Sequence, residues 1–251
     1  MRTALFVLLS VLGAAEPPDP RFRALVLAEK AKPHTAFVER ASTWLDDWAR
    51  RDGFLLDYVE NTATIDEALL RKYQLVIQLN YPPYAWTPAA QSAFEAYIQE
   101  GRGGWVGFHH ATLLGEFDGY PLWPWFWDFM GQIRWKDYIA TFAAARVRVE
   151  DRKHPVTKSL PETFEVEKEE WYTYDRSPRP NVRVLASVDE SSYRPESPIK
   201  MGDHPVVWTN ERLKGRNVYI FMGHGPELIA NPDYTTLVRN AILWAAGQEE
   251  R

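Results

Sequence analysis

The sequence predicts an α/β fold: a doubly wound, mostly parallel sheet carrying an aromatic-rich insertion. Two observations lead there. From Ala24 to Phe108, short apolar runs alternate with amphipathic helical stretches, the pattern of strands joined by crossover helices in a parallel sheet. The stretch Gly103-Gly104-Trp105-Val106-Gly107-Phe108-His109-His110-Ala111 then runs a short apolar strand straight into two histidines. An open α/β sheet places its ligand site just beyond the carboxyl edge. An isolated pair of histidines would equally suit an ordinary strand-to-helix turn, so the weight of His109 and His110 depends on their company.

The elements follow in order. Ala24–Ala28 is apolar and bounded by charge, as in a strand covered on both faces. A polar loop from Glu29 to His34 leads to a helix with Phe37, Ala41, Trp44, Leu45 and Trp48 on one stripe, stopped by Gly53. Phe54–Val59 is the second strand, and Thr64 with Glu67 has the spacing of a capping box for a short helix ending near Lys72. Leu75–Leu79 is the third strand, closed by Asn80 and the Tyr81-Pro82-Pro83-Tyr84 loop. Thr87-Pro88 opens a helix that turns Phe94, Tyr97 and Ile98 inward and ends before Gly101. Trp105–Phe108 is the fourth strand.

The stretch Leu122–Trp135 holds Trp123, Trp125, Phe126, Trp127, Phe129 and Trp135. Such density usually fills core beneath a lid or insertion; the functional alternative is a stacking wall for sugar rings. Further strands are expected at 146–150, 164–167 and 181–188, with a polar loop from Asp189 to Asp203. Pro205–Thr209 and Asn217–Met222 pair as a hairpin. The last strand ends in Gly223-His224, and a final helix runs from about Asp233 to Ala246. His34, His109 and His224 thus each follow a strand of one sheet. If all three strands run parallel, the histidines share one edge; an antiparallel last strand would send His224 to the other.

Composition narrows the classes. The chain has 251 residues, a formal net charge of -5 and no dense basic run, which argues against nucleic acid or an anionic membrane as partner. It has no cysteine, so disulfides, thiolate zinc sites and cysteine nucleophiles are excluded. Arg2, the apolar run Thr3–Leu12 and the small residues Gly13-Ala14-Ala15 read as a signal peptide over residues 1–15, too short to span a bilayer. A tail over 16–22 and one domain over 23–247 complete the expected organisation, in a periplasmic or secreted protein without stable membrane insertion.

Convergent imidazoles with a carboxylate such as Glu170 serve two chemistries. Histidine titrates near neutrality and works as general acid or base; neutral imidazole and carboxylate also bind divalent metal. Spacing alone selects neither. Taken in order, Gly103 to His109, Glu169-Glu170-Trp171-Tyr172, Asp203-His204-Pro205-Val206-Val207-Trp208, Gly215 to Tyr219, Gly223-His224 and Ile242 to Gly247 make the chain resemble the ThuA-like (trehalose utilisation) family. The resemblance runs from Arg23 to Gly247.

That resemblance implies a flavodoxin-like fold of the class I glutamine amidotransferase-like superfamily and a role in carbohydrate metabolism, including trehalose and keto-sugars. At the matching positions it implies His109, Glu170 and His224, joined by His34, as polar pocket residues; the first three are then expected to be catalytic, with Tyr172, His34 and His110 binding substrate. Zinc or another divalent metal would be held by His34, His109, Glu170 and His224, and no nucleotide cofactor is expected. The family often carries an aromatic and an arginine ahead of the first histidine, where this chain has Lys30-Ala31-Lys32-Pro33-His34. His204 at the His-Pro step is expected to be structural. Amidotransferase chemistry needs a cysteine on the turn that here reads Phe108-His109-His110-Ala111, so it is excluded. The expectation is an enzyme, a hydrolase or isomerase acting on a disaccharide or keto-sugar. The alternative is a non-catalytic carbohydrate-binding protein on a degenerate amidotransferase scaffold.

Overall fold

The computed structural model describes residues 19–30, 34–116 and 119–248; the expected signal peptide lies outside them. One nine-stranded sheet organises the chain. Its parallel half is built from β1 (Arg23–Ala28), β2 (Leu55–Val59), β3 (Leu75–Leu79), β4 (Gly104–Phe108) and β11 (Asn217–Ile220), in the order β2-β1-β3-β4-β11. Helices α1 (Thr35–Asp52), α2 (Glu67–Leu70) and α3 (Pro88–Gln99) make the crossovers, and α5 (Pro232–Ala245) closes the chain. No helix among the described residues is long and apolar enough to cross a membrane.

The strands form where the apolar runs predicted them, because strands buried on both faces read as continuous hydrophobic sequence. Leu25, Val26, Leu27, Val76, Ile77 and Val106 are fully buried. Gly53 terminates α1 in the left-handed conformation (φ 74°), which glycine adopts without a Cβ clash. The α2 cap differs from the expected box. Asp66, not Thr64, accepts from the Leu69 amide.

The second half of the sheet is antiparallel. β10 (Pro205–Thr209) pairs with β11, and β9 (Arg183–Arg194), β6 (Ala143–Val149) and β7 (Thr163–Glu169) follow in that order. Two expectations change here. The polar loop begins later than Asp189, because β9 continues to Arg194 with Val188, Glu190 and Tyr193 turned inward; alternation of Asp and Ser with buried residues hid the strand. A separate two-stranded ribbon, β5 (Trp135–Tyr138) with β8 (Tyr172–Tyr174), is also new. Strands of three or four residues leave too little period to read.

The aromatic-rich insertion is core. It contains α4 (Pro124–Phe129), whose Phe126 and Phe129 are buried with Trp123 against Phe94 and Trp105. The Trp105 indole N–H donates to Gln78 Oε1 at 2.9 Å, so its polar atom is satisfied inside.

Gly104 opens β4 where the backbone of α5 comes closest; a Cβ there would sit 2.0 Å from the Ala245 carbonyl oxygen. Gly104→Ala is expected to lower stability by at least about 1–3 kcal/mol through overpacking. Urea denaturation checks it: the midpoint should fall with the slope unchanged.

Candidate functional site

Strand direction decides which chain ends meet. β4 and β11 are parallel, as are β1 and β3 beside them, so the residues after β1, β4 and β11 lie on one carboxyl edge. Two successive antiparallel pairings from β11 leave β9 parallel to β11; two further ones, through β6, return β7 to the same direction. His34, His109, Glu170 and His224 therefore all follow strand ends pointing the same way. Their nearest ligand atoms lie within 4.8 Å of one another.

Direction alone does not bring Glu170 near. β7 is four strands from β11 in the sheet order, about 19 Å if the sheet were flat. The antiparallel half instead curls back over the edge. Glu169, fully buried, accepts from the Gly223 amide at 2.9 Å and the His224 amide at 3.3 Å through Oε2, and from the Glu170 amide at 2.8 Å through Oε1. Trp171 then stacks on Phe221 at 5.4 Å. Glu169 thus clamps the end of β7 to the end of β11 and aims Glu170 at the histidines.

His109 stands on the turn with φ 41°, a left-handed conformation that costs a non-glycine residue about 1–3 kcal/mol. The strain is offset locally. Its carbonyl accepts from Tyr219 Oη at 2.9 Å and Thr112 Oγ1 at 3.0 Å. Its Nδ1 is 3.2 Å from the Phe221 carbonyl, which can only accept, so Nδ1 carries the proton and Nε2 is left with a lone pair. That Nε2 meets the Tyr172 hydroxyl at 2.9 Å and lies 3.6 Å from Glu170 Oε2.

His34 is the N-cap position of α1, and its side chain caps no amide. Its Nε2 faces His224 Nδ1 at 3.0 Å, and its Nδ1 faces Glu29 Oε2 at 3.1 Å. His224 Nδ1 is 3.3 Å from Glu170 Oε2. His110 lies beside this set, its Nδ1 3.2 Å from Glu29 Oε1 and its ring 3.9 Å from that of His34. All six expected site residues are thus brought together, though Tyr172 and His34 are buried. Access is from the side of His110, Glu170 and His224, which remain partly exposed.

Three residues of the site escape a reading of the sequence. Glu29 and Asn80 each follow a strand directly, the one signal they carry. Asn80 donates to the Gly223 carbonyl at 2.6 Å and ties β3 to the same corner. Glu169 is hidden by its acidic neighbours. His204 is structural as expected, bonded to Glu190 Oε1 at 2.9 Å beneath the antiparallel half.

Burial sets the protonation states. It pushes His109 down to about 3, opposed only in part by Glu170, and it lowers His34 despite the bond to Glu29. Burial would raise Glu170, but the neighbouring His109 and His224 outweigh it and hold the carboxyl below the usual range. Glu169 is raised by burial to about 7 against its three amide donors. Neutral imidazole beside ionised carboxylate is the form in which both bind a divalent cation.

The profile of one family, ThuA, described as trehalose utilisation, matches residues 23–245. No curated protein matches the chain. Among solved structures, a ThuA-like protein of Bacteroides uniformis is 32% identical with a TM-score of 0.80, covering 93% of this chain and 94% of its own. A ThuA-like protein of Parabacteroides merdae is 21% identical with a TM-score of 0.64, covering 93% and 92%. A β-galactosidase of Bacillus circulans sp. alkalophilus shares the fold at 15% identity and a TM-score of 0.57, over 90% of this chain and 31% of that one.

His109 should cost the metal-free protein stability as pH falls. The folded-state pKa of His109 lies below its unfolded value, so its contribution is complete above about 6.5 and drains away toward about 3. The slope from this group is at most about 1.4 kcal/mol per pH unit. Glu169 acts oppositely, its contribution present below 4.5 and lost as pH rises through about 7. Denaturation of wild type and His109→Gln between pH 7 and 4 checks the sign: the variant should lose less stability on acidification.

Proposed function

The chain belongs to the ThuA, trehalose-utilisation, family, and from that premise we propose that this carbohydrate-metabolism protein is an enzyme. Its substrate is a disaccharide or a keto-sugar, and its pocket is His34, His109, Glu170 and His224 with a divalent cation such as zinc. The observation that carries the proposal is an excess of acceptors. The Nε2 of His109, unprotonated and met by the Tyr172 hydroxyl, and the ionised oxygen of Glu170 face each other at 3.6 Å, too far for a hydrogen bond and with no proton of their own to share. His34 Nε2, His224 Nδ1 and Glu170 Oε2 continue the series at 3.0 and 3.3 Å. Tetrahedral zinc with bonds of about 2.0–2.1 Å sets its ligand atoms about 3.4 Å apart. These separations bracket that value.

A cation held here, with a position left open by one of the four side chains, would supply Lewis acidity to a sugar oxygen. The chain's own groups divide the remaining work. Glu170, ionised and partly exposed, is placed to take a proton from a sugar hydroxyl or from water. His224, on the open side, is placed to return one. The Tyr172 hydroxyl meets the Nε2 lone pair of His109; were His109 to hold a cation there, the hydroxyl would be placed to orient a substrate oxygen.

The rim suits a sugar. Phe142 lies 4.6 Å from the His224 ring, and Trp135 packs edge-on against Tyr172 with the exposed Tyr138 beyond it. Aromatic faces at a pocket mouth match the apolar faces of sugar rings. They belong to β5 and the turn after it, outside the buried α4 core.

Single His109→Ala and His224→Ala variants should lose about 100-fold or more of turnover on a panel of disaccharides and keto-sugars. Elemental analysis of wild type purified without chelators should find one divalent ion per chain. Unchanged turnover in both folded variants would remove the assignment, and sugar binding without product would leave a binding protein. Phe142→Ala should raise KM several-fold with little change in kcat, measured on the same substrate.

A further inference from the structure

Two groups of potential ligands overlap in this corner: His34, His109, Glu170 and His224, and beside them Glu29, His34 and His110. They share His34. A neutral imidazole has one N–H and one lone pair, so the ring can supply only one of the two groups with a donor pair. The neighbours decide which. Glu29 Oε2 lies 3.1 Å from His34 Nδ1, and the carboxylate, at 7% exposure, can only accept when ionised. The proton therefore sits on Nδ1, and the lone pair of Nε2 points to His224 and away from Glu29.

We propose that Glu29 is the positioning residue of the pocket, its carboxylate fixing the Nδ1–H tautomer of His34 so that one cation is held by the first group and none by the second. This inference rests on the cation reading above for its affinity consequence, though the tautomer itself does not. Two features fit it. Glu29 immediately follows β1, so its backbone is set by a fully buried strand, and its amide donates to the Leu79 carbonyl at 3.0 Å. The same carboxylate spans to His110 Nδ1 at 3.1 Å from Oε2 and 3.2 Å from Oε1, so one side chain orients imidazoles from two separate chain segments. His109 obtains the same tautomer independently, from the Phe221 carbonyl. An outer carboxylate or carbonyl on the second ring nitrogen is the arrangement that orients metal-bound histidine.

The experiment has two arms on the full chain. Long-range 1H–15N spectra of the metal-free protein read each ring's tautomer, with His34 assigned by His34→Gln. Wild type should show His34 and His109 as Nδ1–H. Glu29→Ala should move His34 out of that form and leave His109 in it, whereas Glu29→Gln, which keeps an acceptor oxygen, should preserve both. If Glu29→Ala does not fold, Glu29→Leu fills the space without an acceptor and serves in its place.

In the second arm, Co2+ titration followed by its visible spectrum should give one ion per chain. Affinity should be about 10–100-fold weaker in Glu29→Ala and largely restored in Glu29→Gln. An unaltered His34 signal in Glu29→Ala would overturn the assignment of Glu29. Two ions per chain, the second lost with Glu29, would overturn it in favour of a second site. No Co2+ uptake by wild type would sink the cation reading alone, because the tautomer arm still decides the role of Glu29.

Discussion

The carboxylate of Glu169 is the joint on which the site depends. A nine-stranded sheet has two far edges, and β7 forms one of them. By reaching the amides of Gly223 and His224, Glu169 fastens that edge to the end of β11, the middle strand of the sheet. A buried carboxylate is expensive to desolvate, and three amide donors offset the expense. The close approach also explains Gly223. A Cβ there would lie 2.9 Å from both Asn80 Oδ1 and the His109 Cβ.

Around that joint the structure concentrates conflict. His109 takes a left-handed conformation and full burial at once, and the sheet end around it accepts both because Tyr219, Thr112 and Phe221 hold its carbonyl and ring. Tyr174 extends the same network beneath the turn by donating to Thr112 Oγ1 at 3.1 Å. Strain and buried polar groups that are over-determined by their neighbours are characteristic of sites pre-organised for a ligand. The acceptor-rich centre of the pocket is what remains when the Nδ1 protons of His34 and His109 have been assigned outward.

The aromatic residues divide by depth. Trp123, Phe126 and Phe129 lie against Phe94 and Trp105 and close the layer over the parallel half. Phe142, Trp135 and Tyr138, fewer and scattered, stand at the pocket mouth. The sequence allowed the dense stretch to be core or a stacking wall; density of that kind is a signature of packing, since a large apolar area gains most when it is wholly removed from water.

The sequence by itself determined the parallel half. Runs such as Leu25–Leu27 and Leu75–Leu79 can bury both faces only inside a covered sheet, and helical stripes such as Phe37, Ala41, Leu45 and Trp48 state which side they cover. It also determined that His34, His109 and His224 each follow a strand. The tertiary structure alone decided that they meet, because the direction of β11 and the curl that returns β7 are properties of pairing between distant segments. Glu29 and Glu169 stayed illegible for the same reason. A carboxylate in a list of residues looks solvated until the amides and imidazoles it must satisfy, 5 to 81 residues away along the chain, are packed around it.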